Sequence, residues 1–408
     1  MGINFPFLEV LFLTSIIISG FKIISMKKIT CFFILLFYSL SCREAYNVPS
    51  PSPPTGYLVV EGFINNGTEP TTIRLSRTAK LYDSAEVIYE YNAQVSIEGE
   101  NNESYPLYES INGTYLSSEL HLNSNEKYRL HILTTDGKEY LSDFEPVKTT
   151  PPIDSISWVR ENGVQLYINT HDPQNNTKYY QWKYEETWEF HSAFANSLVY
   201  IFDTATSKNI GVDYKYPSAA TDTTILKCWK TQSSTTISLG STEKLVQDII
   251  FLPLNFIEPA SVKISVRYSI NVKQYALSQD AYLFLQKIKK NTEQLGSVFD
   301  PQPSELQGNI HCITNPAEVV VGFVEVTQEQ QQRIYITNEQ VPDWGYNQGC
   351  PTIIVDNNED SILKYASGLM PAFPNQVARD FIVSFYAAEP RCIDCTLRGT
   401  NVKPDYWP

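Results

Sequence analysis

Two cysteines near the end of the sequence, Cys392 and Cys395, have the C-x-x-C spacing found in redox centres, in zinc sites and in disulfide-bonded tails. A redox pair of the thioredoxin type lies at the start of a helix, and no helical pattern follows Cys395. A structural zinc site needs two more ligands at a recognisable spacing, and the other cysteines are isolated. We therefore expect one or both cysteines to bond back to Cys228 or Cys350 and anchor the tail.

Three glutamates, Glu185, Glu186 and Glu189, lie close together in the segment YYQWKYEETWEFHS. A glycosidase needs two carboxyl groups across a cleft, which this spacing does not define. The simpler interpretation is a solvated strand face. Glu186 differs because it interrupts the apolar side of the pattern, and a buried charge there needs a partner, for which an arginine is the expected candidate.

Aromatic residues offer a second kind of chemistry, since Trp182, Trp188, Trp344 and Tyr346 are candidates for a platform that stacks on a sugar ring or another ligand. The favoured alternative places them in the core of a β-sandwich. His311 lies beside Cys312, but adjacent residues seldom bind one metal, and we expect an ordinary position at a strand end. Nucleophile-elbow, Walker, dinucleotide and zincin motifs are absent from the sequence. We expect no enzyme activity, cofactor or metal.

The elements that position these residues are mostly short strands. Alternating apolar residues predict strands at 57–64, 71–78 and 93–99, and Asp136-Gly137 predicts the turn of a β-hairpin. The segment Thr149-Thr150-Pro151-Pro152 is the predicted domain boundary.

After this boundary, strict alternation predicts a long strand through 179–191, with an aromatic and a polar face, and another strand at 261–272. Further strands are expected around 318–337 and 380–387. Apolar residues at helical spacing predict one helix over about 279–295, with Ser278 as its N-cap. The expected fold is mainly β: an N-terminal antiparallel β-sandwich (56–150), then a larger fibronectin- or Ig-like β region (151–408) with one inserted helix and a disulfide-stapled tail.

The N-terminal segment 1–41 predicts export. From Met26, two lysines precede an apolar run and small residues before Cys42, which is the layout of a bacterial lipoprotein signal. Residues 1–25 are interpreted as the result of an upstream start codon chosen in error, or else as a real apolar extension. Acyl chains on Cys42 are expected to anchor the protein, and the proline-rich stretch 42–55 to act as a tether.

Net charge and cysteine content further limit the class of protein and its compartment. Only three of the 31 basic and one of the 45 acidic residues precede Cys42, so the exported chain has a net charge of −16. Such an acidic chain is a poor candidate for binding nucleic acid. In an oxidising compartment the five cysteines after Cys42 are expected to form disulfides, with at least one left unpaired.

The sequence resembles the DUF4249 family of Bacteroidota lipoproteins over nearly the whole exported chain. The resemblance is carried by YLVVEGFI, NGTYLSS, YYQWKYEETWEF, KCWKTQSST, KKNTEQLGSVFDPQPSELQGNIHCITNP and CIDCTLRGTNVKPDYWP. Family members more often have a small polar residue at the position of Cys312. The resemblance therefore implies that Cys312 is the free thiol and that Cys228, Cys350, Cys392 and Cys395 form two bridges.

The family has no assigned function, and the resemblance implies an outer-membrane lipoprotein encoded near a TonB-dependent receptor. The expected function is a non-catalytic, surface-facing accessory of that β-barrel transporter in nutrient capture or uptake. A carbohydrate- or peptide-binding adhesion module is the second hypothesis, and a hydrolase the third. Bacteroidota also glycosylate hydroxyl groups that follow aspartate, and the candidates here are Ser84, Ser155, Thr204, Thr223 and Ser361.

Overall fold

The computed structural model describes residues 56–79, 87–216, 220–293, 308–379 and 381–408. This part of the chain is mainly β, which confirms the predicted class. Within these ranges, no helix has the length and apolar character needed to cross a membrane. The predicted signal segment 1–41, Cys42 and the tether 42–55 lie outside the described residues.

Nine strands come first along the chain: β1 (Leu58–Asn65), β2 (Thr72–Arg77), β3 (Ile88–Tyr89), β4 (Gln94–Gly99), β5 (Ser104–Glu109), β6 (Thr114–Leu116), β7 (Lys127–Leu133), β8 (Glu139–Ser142) and β9 (Glu145–Pro146). Nine more strands and a helix follow: β10 (Ile153–Arg160), β11 (Val164–His171), β12 (Tyr179–His191), β13 (Leu198–Asp203), β14 (Lys208–Tyr214), β15 (Lys227–Ser233), β16 (Ser238–Ser241), β17 (Ile249–Ile257), β18 (Arg267–Ala276) and α1 (Gln279–Glu293). The last elements are β19 (Ile310–Cys312), β20 (Val321–Gly322), β21 (Val326–Thr327), β22 (Gln330–Thr337), β23 (Ile353–Asp356), α2 (Glu359–Tyr365), β24 (Met370–Ala378), β25 (Phe381–Ala388) and α3 (Pro390–Ile393).

The first sheet contains twelve strands in the order β19-β8-β7-β4-β5-β6-β2-β1-β20, with β3, β9 and β21 paired at its sides. Most pairs are antiparallel, but β20 and β21 pair with β1 in parallel. The N-terminal part was expected to be an antiparallel sandwich. Its sheet is instead mixed and nearly closed into a barrel, because strands from residues 310–327 return to pair with strands formed before residue 150.

The core of the first sheet follows from alternation, since every second residue of β1, β4 and β7 points inward. The buried side chains from the early strands are joined by five from the returning segment, namely Ile310, Cys312, Val320, Val324 and Val326. The interior of this sheet is therefore completed by residues more than 150 positions away in sequence.

A second core lies between the sheet β10-β11-β17 and the sheet β15-β12-β18-β22, to which β16 adds beside β12. Ile156, Leu166 and Ile168 face it from the smaller sheet. Strand β18 starts at Arg267, later than the predicted 261, because the Ser261 side chain accepts a hydrogen bond from the Lys263 backbone N–H and holds Val262–Ile264 as a 3-10 turn.

Helix α1 agrees with the predicted segment up to Glu293, and the residues beyond it lie outside the described part. The Ser278 hydroxyl accepts a hydrogen bond from the Ala281 N–H at 3.1 Å, as expected of an N-cap. Two further helices were not predicted, because α2 (seven residues) and α3 (four residues) are too short for a periodic pattern. Asn358 caps the first of these, and Pro390 begins the second.

A third, smaller core joins the hairpin β13-β14 to the sheet β23-β25-β24 and helix α2. The tail that follows is held by two disulfides, Cys228–Cys395 and Cys350–Cys392. Cys312 is free and buried in the first core. The C-x-x-C cysteines are therefore each bonded to a distant partner and not to each other.

Candidate functional site

The long strand β12 presents two different faces. Tyr180, Trp182, Trp188 and Phe190 point into the second core, and their burial follows from the aromatic side of the alternating pattern. The other face carries polar and charged side chains and is covered only at its ends. Chemistry available to a ligand on this strand must therefore come from the polar face.

The four aromatic residues considered as a ligand platform do not form one. Trp182, Trp188 and Trp344 are only 2%, 5% and 5% exposed, and Tyr346 packs against the same second core. The indole N–H groups of Trp182 and Trp344 donate to the Gln274 side chain and the Ser261 carbonyl. These rings are unavailable for stacking on a ligand, because the two facing sheets need large apolar side chains to fill the space between them.

Glu186 is buried, and its partner is a lysine instead of the expected arginine. Lys263 Nζ lies 2.6 Å from Glu186 Oε2, while the Tyr268 hydroxyl and the Asn255 amide each donate to Oε1 at 2.8 Å. Lys263 reaches this carboxylate from the 3-10 turn before β18. Since both oxygens are bonded, the cluster is structural in character.

Glu189 is also buried, at the end of β12 near the tail. Burial alone raises the pKa of this carboxyl, but hydrogen bonds from His191, Lys227 and the Trp407 indole more than offset that effect and bring the pKa to about 2. The expected solvated glutamate face is therefore wrong for Glu189, while Glu186 is buried and paired, as its place on the apolar side of the pattern allowed. It holds only for Glu185, which is partly exposed and lies 3.7 Å from Arg333.

The middle of the polar face is open. Directly paired residues on neighbouring strands point to the same side, so the registers of β12, β18 and β22 place six polar side chains together. The polar face is defined by these residues: Lys183, Glu185, Asn271, Lys273, Gln331 and Arg333. Tyr406 of the tail covers one end, where its ring lies 3.7 Å from the Arg333 guanidinium.

Strand β1 of the first sheet borders the other end of the polar face. The Phe63 ring stacks on Tyr275 with centroids 4.5 Å apart, and Lys183 Nζ lies 5.0 Å from the centre of the Phe63 ring. Glu329 is bonded to the Tyr275 hydroxyl and lies 2.8 Å from Lys273 Nζ. This arrangement joins cations, a carboxylate and an aromatic wall at the meeting of two sheets.

Lys183 is the distinctive residue of this arrangement. It is exposed, and no carboxylate in the described part of the chain lies within 4.0 Å of its ammonium group. The pKa of Lys183 is lowered, mainly because the protein on either side displaces water, and also by repulsion from Lys273 and Arg74. Its position on the polar parity of β12 was visible in the sequence, but its lack of a counter-ion was not.

A second exposed feature lies on the outer side of the sheet β10-β11-β17. Tyr167 and Phe251 stack with centroids 4.9 Å apart, and Phe251 is 60% exposed. Ile249 and Phe256 of β17 are exposed beside it. These residues could not be predicted from the sequence, because β17 is apolar on both sides and its alternation is weak.

The remaining predicted positions are scattered. Ser155, Thr204 and Thr223 are exposed, Ser361 is half-buried in α2, and Ser84 lies outside the described residues, as does Cys42. His311 is exposed and 3.3 Å from Asp143. It helps to line a cavity of about 520 Å³ between Gly308 and Val320.

Metal-binding geometry does not occur in the parts of the chain that the structure describes, where no three His, Cys, Asp or Glu side chains converge. The observed architecture is thus a β protein with two main cores, two tail disulfides and an open polar face. A family model defines its class further. The chain matches the domain of unknown function DUF4249 over residues 43–333 and belongs to this family.

None of the curated proteins matches the chain. Among solved structures, it is similar to a DUF4785 family protein from Legionella pneumophila subsp. pneumophila str. Philadelphia 1, with 5% sequence identity and a TM-score of 0.20. The matched region covers 54% of this chain and 52% of that chain, so the present chain spans about half the length of its neighbour. A TM-score this low supports no inference about function.

Proposed function

We propose that this protein is a non-catalytic outer-membrane lipoprotein that assists a TonB-dependent transporter in capturing or taking up a nutrient. The observation that carries the proposal is the order of features at the N-terminus. Lys27 and Lys28 precede an apolar run, Cys42 follows it, and the proline-rich tether 42–55 leads to the first strand at Leu58. This order suits a folded body that is held at a membrane surface by acyl chains.

The polar face supplies the capture function in this proposal. It is open, carries both signs of charge and has aromatic rings at each end, which suits a small polar ligand handed between two proteins. We also propose a fibronectin-like arrangement for the second region, supported by the two antiparallel sheets around the second core. The cell-surface leaflet is the proposed location of the anchor.

Purification of the tagged protein from native membranes in mild detergent tests the proposal, with mass spectrometry of the associated proteins. We expect a stoichiometric TonB-dependent β-barrel. Cys42→Ser should abolish both membrane association and the barrel, because it removes the acylated thiol. Cys31→Ser is the matched control and should change neither. Recovery of the wild-type protein alone, at native expression and in two detergents, would contradict the proposal.

A surface carbohydrate- or peptide-binding module is the second candidate, and the stacked Tyr167 and Phe251 favour it. Exposed aromatic rings on a sheet provide flat surfaces for sugar rings. Binding to immobilised glycans that is lost in Phe251→Ala, with no barrel recovered from membranes, would support this alternative. A hydrolase is the least supported candidate, since the buried Glu186 carboxylate is bonded to Lys263 and Tyr268.

A further inference from the structure

We propose that Lys183 binds the carboxylate of a small ligand of the amino-acid or peptide class, with an apolar group of that ligand packed against the edge of the Phe63 ring. The inference deepens the capture part of the proposed function and rests on it.

The charges at this end of the polar face do not cancel. Lys273 is paired with Glu329 at 2.8 Å, and Arg74 and Glu61 are directly opposite each other on β2 and β1. Neither Lys183 nor Arg74 has a carboxylate within 4.0 Å among the described residues, but Arg74 has Glu61 as its direct cross-strand neighbour. Among these five groups, three cations (Lys183, Lys273 and Arg74) face two carboxylates (Glu61 and Glu329), which leaves one positive charge for a ligand carboxylate to neutralise.

The same balance disfavours a more highly charged ligand. Glu61 and Glu329 are close enough to act electrostatically on Lys183 and would repel the second negative charge of a phosphate monoester. A carboxylate carries one charge and accepts hydrogen bonds from an ammonium group. The site therefore favours a carboxylate over a phosphate.

The Phe63 ring determines which chemical group of the ligand can lie beside the bound carboxylate. Phe63 is only partly buried and lies parallel to Tyr275, with 18° between the ring planes. Lys183 lies over the Phe63 ring, so a carboxylate bound at its ammonium group would hold an attached side chain near the ring edge. An amino acid or a peptide C-terminus combines these two groups at short range, whereas a sugar acid places hydroxyl groups there.

The surroundings of Lys183 also affect its pKa. Water displaced by the two sheets lowers the pKa of Lys183, and an anion beside it would reverse that shift. The charged groups that act electrostatically on Lys183 are Glu61, Arg74, Lys273 and Glu329.

Isothermal titration with N-acetyl-phenylalanine tests the proposal on the full exported chain. We expect binding to the wild-type protein and at least about tenfold weaker binding to Lys183→Met, because a hydrogen bond to a charged group is lost. N-acetyl-phenylalaninamide should bind at least about tenfold more weakly to the wild type. Lys230→Met is the matched control: Lys230 is also an exposed strand lysine, on β15, and its variant should bind the acid normally.

A spectroscopic readout separates binding at Lys183 from a general effect of charge. In protein with ¹³C-methylated lysines, the Lys183 signal should titrate at a lower pH than an ordinary lysine, and saturating N-acetyl-phenylalanine should raise the pH at which it titrates. Equal affinity of the wild type and Lys183→Met, equal affinity for acid and amide, binding of galacturonate alone or no binding of the acid would each overturn the proposal. Lys183→Met should still recover the barrel, so loss of the barrel counts against the proposed function and not against the ligand assignment.

Discussion

Glu325 is completely buried beside the first turn of α1. The backbone N–H and the hydroxyl of Ser278 donate to its Oε2 at 3.1 and 2.7 Å. Its Oε1 has no hydrogen-bond partner among the described residues, and Lys148 Nζ is 3.9 Å away. Burial raises the pKa of this carboxyl to about 7, although Lys148 and Ser278 act in the opposite direction. Glu145, whose own pKa burial also raises, adds to the shift.

Glu325→Gln is predicted to flatten the dependence of stability on pH. As pH rises from 4.5 to about 7, the unfolded chain loses the Glu325 proton while the folded protein keeps it, so stability decreases. A shift from 4.5 to about 7 corresponds to about 3 kcal/mol at most. Glutamine keeps an oxygen for Ser278 and cannot ionise. The free energy of unfolding, measured with urea at pH 4.5, 6, 7 and 8, should be higher for Glu325→Gln than for the wild type only above pH 4.5.

Glu318→Gln provides a control of opposite sign. Burial raises the pKa of Glu318, but bonds from Lys138 at 2.8 Å and Tyr140 at 2.7 Å lower it below its usual value. Its contribution is therefore present above pH 4.5 and lost as pH falls, and the variant should be less stable at neutral pH. If the free energy of unfolding depends on pH equally in Glu325→Gln and in the wild type, the Glu325 carboxyl of the wild type titrates normally.

Sequence patterns can single out unusual charged residues, but they do not identify the partners of those residues. Glu186 could be singled out because it breaks the apolar parity of β12, although the sequence did not decide whether that face is buried. Its partner could not, since Lys263 reaches it from a 3-10 turn that resembles a strand in sequence. The unpaired state of Lys183 depends on which side chains β1 and β18 bring near it, and these residues lie 90 or more positions away in sequence.

The two disulfides that hold the tail close loops of very different length. Cys228–Cys395 spans 167 residues and ties the tail to the edge strand β15, while Cys350–Cys392 spans 42 residues. In the chain-entropy model a bridge stabilises by restricting the unfolded chain, and a longer loop gives the larger effect. The first bridge is therefore the more important of the two.

Replacing both cysteines of a bridge by alanine is predicted to destabilise the protein, and the loss should be larger for the bridge that closes the longer loop. The model gives about 5 kcal/mol for Cys228→Ala with Cys395→Ala, and about 4 kcal/mol for Cys350→Ala with Cys392→Ala. Urea unfolding of both variants under oxidising conditions measures the difference, and each variant is the control for the other. Equal losses, or a larger loss for the shorter loop, would mean that native packing outweighs loop length.

Elements that depend on local chemistry were predictable. Asp136-Gly137 specifies the turn between β7 and β8, where Gly137 adopts a φ of +81°. Ser278 and the apolar spacing after it specify α1. The parallel strands β20 and β21 have two residues each, too few for any alternation, and their pairing with β1 depends on tertiary contacts.

For the molecule as a whole, the first sheet is assembled from distant parts of the chain. Strand β19 pairs with β8, and β20 and β21 pair with β1. Their apolar side chains fill the same core as the early strands. A fragment that ends before them would expose that core and the edge of β1.

The fragment 56–150 is therefore predicted to lack a cooperative unfolding transition when produced alone. Fusing residues 308–328 to its C-terminus through a flexible linker should restore one, because the missing core side chains and strand pairs return. Near-ultraviolet circular dichroism during heating measures both proteins. A cooperative transition in the short fragment would show that the boundary near residue 150 delimits an autonomous unit.

The return of the chain to its first sheet also constrains the order of folding. The N-terminus emerges first during synthesis and during export, so β1 remains without β20 and β21 until about 260 further residues have followed it. Contacts of such high sequence separation form slowly. During that interval the unpaired edge of β1 is available to the same segment of another copy, and exchange of residues 308–328 between two nascent chains would give a domain-swapped dimer. Holdase chaperones that cover this edge would act on the protein before it closes.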